Sequence, residues 1–271
     1  MKISRALASA GLAVLALLLA GCTTVAITGA PDLDKNFFGP KKRFAVVTIA
    51  AAKTFQGNRS LLDAFKDADS IPGANTQPMI NKLDARIMRA FGGSRQFTLL
   101  PQARVLSNRA YRNLVEDERS MKVMMFTMDM NVAGQYKYVS DPAKFAALAR
   151  DLNVDGVIAV TMTFSIANGG GAFSINGLSF GKRSYSATAS AAVVAYDRRG
   201  EVIWKDSTMK QAEPGDSKAV IVIDTGAFTS ADFEKMQPSA VEIGGKAVDV
   251  LLSRLDDSLA GKSVSSVQSL K

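Results

Sequence analysis

The stretch from Asp155 to Gly200 reads DGVIAVTMTFSIANGGGAFSINGLSFGKRSYSATASAAVVAYDRRG. Ile158, Val160, Met162, Phe164 and Ile166 alternate with Ala159, Thr161, Thr163 and Ser165. Successive side chains of a strand point to opposite faces, so this pattern predicts a strand with one bulky apolar face and one small-residue face. Tyr185 to Tyr196 returns as a second strand, rich in Ala, Ser, Thr and Val. Between them Asn176-Gly177 signals a two-residue type I′ turn, which needs positive φ at both positions. Pairing outward from that turn sets Ile175 opposite Leu178, Ser174 opposite Ser179 and Phe173 opposite Phe180. The same register sets Ile166 opposite Ala187, Ser165 opposite Thr188, Phe164 opposite Ala189 and Thr163 opposite Ser190. The stretch is one long hairpin.

At the tip, Phe173, Ile175, Leu178 and Phe180 fall on one face and serines on the other. The apolar positions change parity across Asn168-Gly169-Gly170-Gly171 and again beyond Gly181. A change of parity moves side chains to the opposite face, and the glycines supply the bend. The four apolar tip residues are therefore the candidate contact residues. An exposed apolar patch marks a protein partner, a second copy or a membrane; folding back over its own sheet is the other reading. A membrane strand needs about 9–11 residues. Residues 168 to 176 only just supply that length, six of the nine glycine or polar, and Lys182 and Arg183 would have to sit at an interface or in a lumen.

Outward from the hairpin, the remaining elements follow from periodicity. Phe44-Ala45-Val46-Val47-Thr48-Ile49 reads as a central strand buried on both faces. Leu61, Leu62 and Phe65 suggest a short helix. Asn75-Thr76 before Pro78 opens a helix whose apolar face is Ile80, Leu83, Ile87 and Phe91, ending at Gly92-Gly93. Phe97 to Pro101 is a second strand, and Val105, Leu106, Tyr111 and Leu114 belong to a helix up to about Asp117. Over 121–132, Met121, Met124, Met125, Met128 and Val132 fit a helix face, while Met124, Phe126, Met128, Met130 and Val132 fit a strand face, so periodicity leaves both open. Asp141-Pro142 opens a helix burying Phe145, Leu148, Ala149 and Leu152. Asp197 to Gly200 turns into a short strand, Glu201 to Lys205, around Trp204. Val220 to Ile223 is a further strand. Val241, Val248, Leu251, Leu252, Leu255 and Leu259 form one face of a long C-terminal helix. The expected fold is α/β: a mixed β-sheet flanked by helices, with a protruding Gly-rich hairpin.

The chain has 271 residues, 47% hydrophobic and 21% charged, a globular composition with material for a core. It has no histidine, and its one cysteine is Cys22. These absences remove Ser-His and Cys-His nucleophile pairs, His-containing zinc sites and Cys-ligated clusters. No catalytic residue, metal or cofactor is expected. Gly177 to Lys182 resembles a phosphate loop superficially. That motif needs four residues between its glycines and Ser or Thr after Lys, whereas three residues separate Gly177 from Gly181, and Arg183 follows. The acidic pairs Asp67/Asp69 and Asp256/Asp257 read as solvated charge.

Lys2 and Arg5 precede an apolar run of nine residues, Leu12 to Ala20. That is short of the roughly 20 residues a transmembrane helix needs and suits a secretory signal. Leu19-Ala20-Gly21-Cys22 closely resembles the lipobox of bacterial lipoproteins, which implies lipidation of Cys22 and removal of residues 1–21. Three acyl chains, at about 0.8 kcal/mol per buried methylene, would anchor the chain essentially permanently. By that family's sorting rule, Thr23 favours the outer membrane. Loss of Lys2 and Arg5 takes the net charge from +8 to +6. Residues 22–42 read as a lipidated tether that Phe37 and Phe38 dock onto the body, 43–262 as a single periplasmic domain, and 263–271 as a tail.

Leu152 to Val160, the Gly-rich hairpin, and Ala192 to Ile203 together resemble the curli-secretion channel (CsgG-like) lipoproteins and the related LpoB-like activators of penicillin-binding proteins. The resemblance spans roughly residues 43 to 260. It implies an outer-membrane lipoprotein with a domain like an anticodon-binding domain. In the channel family each subunit of a ring donates two hairpins to a membrane barrel; residues 168–185 sit where one would be, and 119–139 near the other. The leading expectation is a non-enzymatic, lipid-anchored periplasmic domain that binds a protein partner or itself in envelope assembly or secretion. The alternatives are an oligomeric export-pore subunit and, more weakly supported, an envelope hydrolase. Nucleic acid is not an expected partner, because no basic stripe is interleaved with aromatics.

Overall fold

The computed structural model describes residues 30–56, 70–123, 126–169, 173–175, 178–180, 183–212, 218–223 and 229–264. In chain order the strands are β1 (Asp32–Leu33), β2 (Arg43–Ala52), β3 (Thr54–Gln56), β4 (Ser70–Asn75), β5 (Thr98–Leu99), β6 (Ser120–Val123), β7 (Phe126–Val132), β8 (Gly156–Gly169), β9 (Phe173–Ile175), β10 (Leu178–Phe180), β11 (Arg183–Asp197), β12 (Val202–Gln211) and β13 (Val220–Ile223). The helices are α1 (Gln77–Gly92), α2 (Gln102–Ser107), α3 (Arg109–Asn113), α4 (Pro142–Asp151) and α5 (Ser230–Leu259).

The main sheet runs β1-β12-β11-β8-β2-β7-β6, with β13 beside β11 and β5 beside β2. Strand β2 pairs parallel with β8 and antiparallel with β7, so the sheet is mixed, as its patterning predicts. Every residue of β2 from Phe44 to Ala52 is buried, the signature of a central strand covered on both faces. The bulky residues of β8 face α1 and α5: a methyl added to Gly244 of α5 would lie 3.0–3.2 Å from Leu83, Phe164 and Met162. The opposite face carries α4, where Phe145 stacks on Tyr196 with centroids 4.6 Å apart.

Local chemistry sets the helix ends. Asp141 caps α4 by accepting from the Ala143 N–H at 2.8 Å. Thr229 and Asp232 form a capping box on α5. At α1, Thr76 is at the cap position, but its hydroxyl donates to the Ala52 carbonyl at 2.6 Å instead. Asn75 Oδ1 accepts the Gln77 N–H at 3.0 Å in its place.

Four expectations are corrected or resolved. The helix expected through 105–117 is two short helices, because Asn108 turns extended and its side chain caps α3, accepting from Ala110 and Tyr111. The strand around Trp204 continues to Gln211 rather than stopping at Lys205. Residues 120–123 and 126–132 form strands β6 and β7, not a helix; β7 pairs with Ala50 to Ala52 of β2. The segment read as a tether contributes strand β1, which pairs with Trp204 and Lys205. As expected, Phe37 and Phe38 dock on the body, Phe38 stacking on Phe44 at 5.5 Å. The helix expected around Leu61 to Phe65 lies outside the described residues, as do the signal segment and residues 265–271.

Gly156 opens β8 where space is smallest. A Cβ there would lie 2.7 Å from the Phe44 ring and 3.0 Å from Ile203. Phe44 is itself held against Phe38 and Phe97. Gly156→Ala is expected to destabilise the fold by about 1–3 kcal/mol through overpacking. The check is the urea midpoint at constant m; an unchanged midpoint would show that the ring yields freely.

Candidate functional site

The hairpin has the register predicted from Asn176-Gly177. Strands β8 and β11 pair from Asp197↔Gly156 to Ser184↔Gly169, including Ile166↔Ala187 and Phe164↔Ala189. Beyond them β9 and β10 pair only with each other, as Phe180↔Phe173, Ser179↔Ser174 and Leu178↔Ile175. This register puts positions 173, 175, 178 and 180 on one side of the two-stranded tip and both serines on the other. Asn176 and Gly177 lie outside the described residues. On the outer side of β11, β12 and β13 pair in succession, and Ala187 bridges them: it donates to Ala219 and accepts from Ala212. Strand β11 is thus flanked along most of its length.

The small-residue face of the same strands forms a trough with a cavity of about 570 Å³. Its floor consists of rungs across the sheet. Thr161, Ala192 and Ser207 are cross-strand neighbours; Ala159, Val194, Lys205 and Asp32 form the next rung. Met121 and the Phe145–Tyr196 pair wall it. In the sequence, the alternation of Ala159 and Thr161 with bulky residues signals the small-residue face of β8, and the Ala-, Ser-, Thr- and Val-rich composition signals β11; the trough itself depends on which described segments cover that face.

Charge is arranged for architecture. Arg254 of α5 meets Asp206 of β12 in a two-pronged pair, Nε to Oδ2 at 2.8 Å and Nη2 to Oδ1 at 3.0 Å, each side chain 2% exposed. Burial pushes Asp117 up, but hydrogen bonds from Lys144, from the Ser140 and Asp141 N–H groups and from the Ser140 hydroxyl outweigh it and hold this carboxyl below its ordinary value. Burial raises the phenols of Tyr111 and Tyr136, so both stay protonated; the Tyr111 hydroxyl donates to the Val47 carbonyl at 2.8 Å. Asp84 is raised by burial, partly offset by Gln102. Beside Asp117 the Ser140 hydroxyl donates at 3.2 Å, and the Lys144 ammonium pairs with the same carboxyl. Among the described residues no three His, Cys, Asp or Glu side chains are grouped to hold a metal ion. Cys22 lies outside the described residues. No described helix is long and apolar enough to cross a membrane, which leaves strands unaddressed.

No protein-family model matches this chain, and no curated protein matches it. The C-terminal domain of LpoB from Salmonella enterica is similar over 65% of this chain and 85% of its own, at 11% identity and a TM-score of 0.32. A dodecameric PelC variant from Paraburkholderia phytofirmans is similar over 84% of this chain and 97% of its own, at 13% identity and a TM-score of 0.29. Similarity this low leaves function to be argued from the chain's own residues.

Proposed function

We propose that this chain is a non-enzymatic, lipid-anchored periplasmic domain of the outer membrane that binds a protein partner or itself in envelope assembly or secretion. The observation that carries the reading is the hairpin register. The same register holds for the described pairs of the sheet and for those of a separate tip, whose positions 173, 175, 178 and 180 share one side. A hydrogen-bonded base carrying a tip with Phe173, Ile175, Leu178 and Phe180 at positions on one side suits a protein contact better than chemistry. The Leu19-to-Cys22 motif supports the anchor.

The anchor is tested by fractionation. Cys22→Ala is expected to move the chain from the membrane pellet to the soluble fraction. A Cys22→Ala chain that stays in the pellet through a high-salt wash would overturn the single-anchor reading and favour insertion by the hairpin.

A further inference from the structure

The geometry points to a ligand for the trough on the small-residue face: a single-chain phospholipid, its acyl chain on the floor of β8 and β11 and its zwitterionic head at the rim between Lys205 and Asp32. The cavity, about 570 Å³, is of the size that holds small ligands, which runs from roughly 300 to 1,000 Å³. It is independent of the hairpin tip and of the protein-binding reading.

The chemistry of the floor selects the chain. Ala159, Thr161, Ala192 and Val194 are too small to fill the space above them, and all but Ala159 are only partly buried. Their strands are hydrogen-bonded to one another through this region, β8 to β11 and β11 to β12, so the floor's backbone has little to offer a peptide. An occupant without hydrogen-bonding groups of its own along its length loses nothing there. Met121 gives one wall a flexible, polarisable side chain that adapts to a chain's shape. The stacked Phe145–Tyr196 pair closes the trough at the α4 end.

The rim selects the head. Lys205 and Asp32 are both exposed, face each other across the β1–β12 pair, and make no ion pair among the described residues. Ser207, also exposed, lies one rung away on the same face. One cation and one anion, adjacent at one end of an apolar trough, complement a phosphate and an ammonium joined by a short linker. A simple fatty acid would match only the lysine, and a free head group would leave the floor uncovered.

The test uses the Cys22→Ala chain, which carries no acyl group of its own, titrated calorimetrically with lysophosphatidylethanolamine below its micelle concentration. Saturable one-to-one binding is expected. Ala192→Phe, which fills the floor, is expected to weaken it at least tenfold, and Lys205→Glu at the exposed rim at least fivefold. Both variants are checked for an unchanged melting temperature, and the rim variant keeps the test decisive if the floor variant does not fold. Phe173→Ser with Phe180→Ser should leave binding intact. Absence of binding overturns the proposal. So does phosphoethanolamine alone binding as tightly as the lysolipid, or binding lost with the tip variant but kept in folded Ala192→Phe. A change in oligomer size on Ala192→Phe without lysolipid binding would assign the trough to a second copy and equally overturn it.

Discussion

Arg254→Leu is expected to destabilise the protein by about 3–5 kcal/mol, because it leaves the Asp206 carboxylate buried without its partner. Both side chains are 2% exposed, and the two prongs at 2.8 and 3.0 Å tie the C-terminal part of α5 to β12. Asp206 Oδ1 also accepts the Ser207 N–H at 2.8 Å, which replaces only part of the lost solvation. For a domain of this size the loss corresponds to roughly 6–20 °C in melting temperature. Asp206→Ala should also destabilise the protein, by removing the two-pronged carboxylate partner of a buried guanidinium. Replacing both residues by leucine should cost clearly less than either single change, since an apolar pair of similar volume carries no desolvation penalty. Thermal and urea unfolding of the three variants provide the measurement. A double variant as unstable as the singles would show that packing around Arg254, not charge burial, is what matters.

The second large effect concerns assembly. Phe173→Ser with Phe180→Ser removes the cross-strand apolar pair of the tip that lies nearer its base. If the tip is buried against a partner or a second copy, about 1.5–3 kcal/mol per phenyl leaves the association free energy. That shifts affinity by several tenfold steps while the melting temperature holds, because β9 and β10 pair only with each other and not with the main sheet. If the tip folds over its own sheet, the same free energy appears as lost stability with assembly unaltered. Melting temperature and oligomer size on the double variant separate the two. A large drop in melting temperature with an unchanged size distribution would sink the contact reading.

The hairpin was legible because its information is local. Asn176-Gly177 sets a register, strict alternation in β8 sets the faces, and the observed pairing of Phe164 with Ala189 follows from counting outward. The faces of α1 and α4 were legible for the same reason: Ile80, Leu83, Ile87 and Phe91, and Phe145, Leu148 and Ala149, are buried at helical spacing. The second half of β12 was not. Asp206-Ser207-Thr208-Met209-Lys210-Gln211 has no apolar alternation, and its inward positions become tolerable only when α5 supplies Arg254 to Asp206 and the Ala247 carbonyl to Thr208. The candidate tip residues were likewise readable as a register, whereas the trough was not readable as a site.

By itself, then, the sequence determined the strand faces, the hairpin register, the amphipathic helices and the chemistries that a chain without histidine cannot perform, since each depends on residue type or on spacing within one element. Tertiary structure alone decided that 120–123 and 126–132 are strands, because β2 offers its edge at Ala50 to Ala52 to a segment whose methionines suit either geometry. It decided that Asp32–Leu33 closes the sheet edge and that a buried ion pair holds α5 to β12. It also decided that one sheet face is covered by α1 and α5 while, among the described residues, part of the other stays open over small side chains. Those outcomes depend on which distant segment arrives to satisfy a backbone edge, a charge or an apolar surface, and no local pattern encodes that arrival.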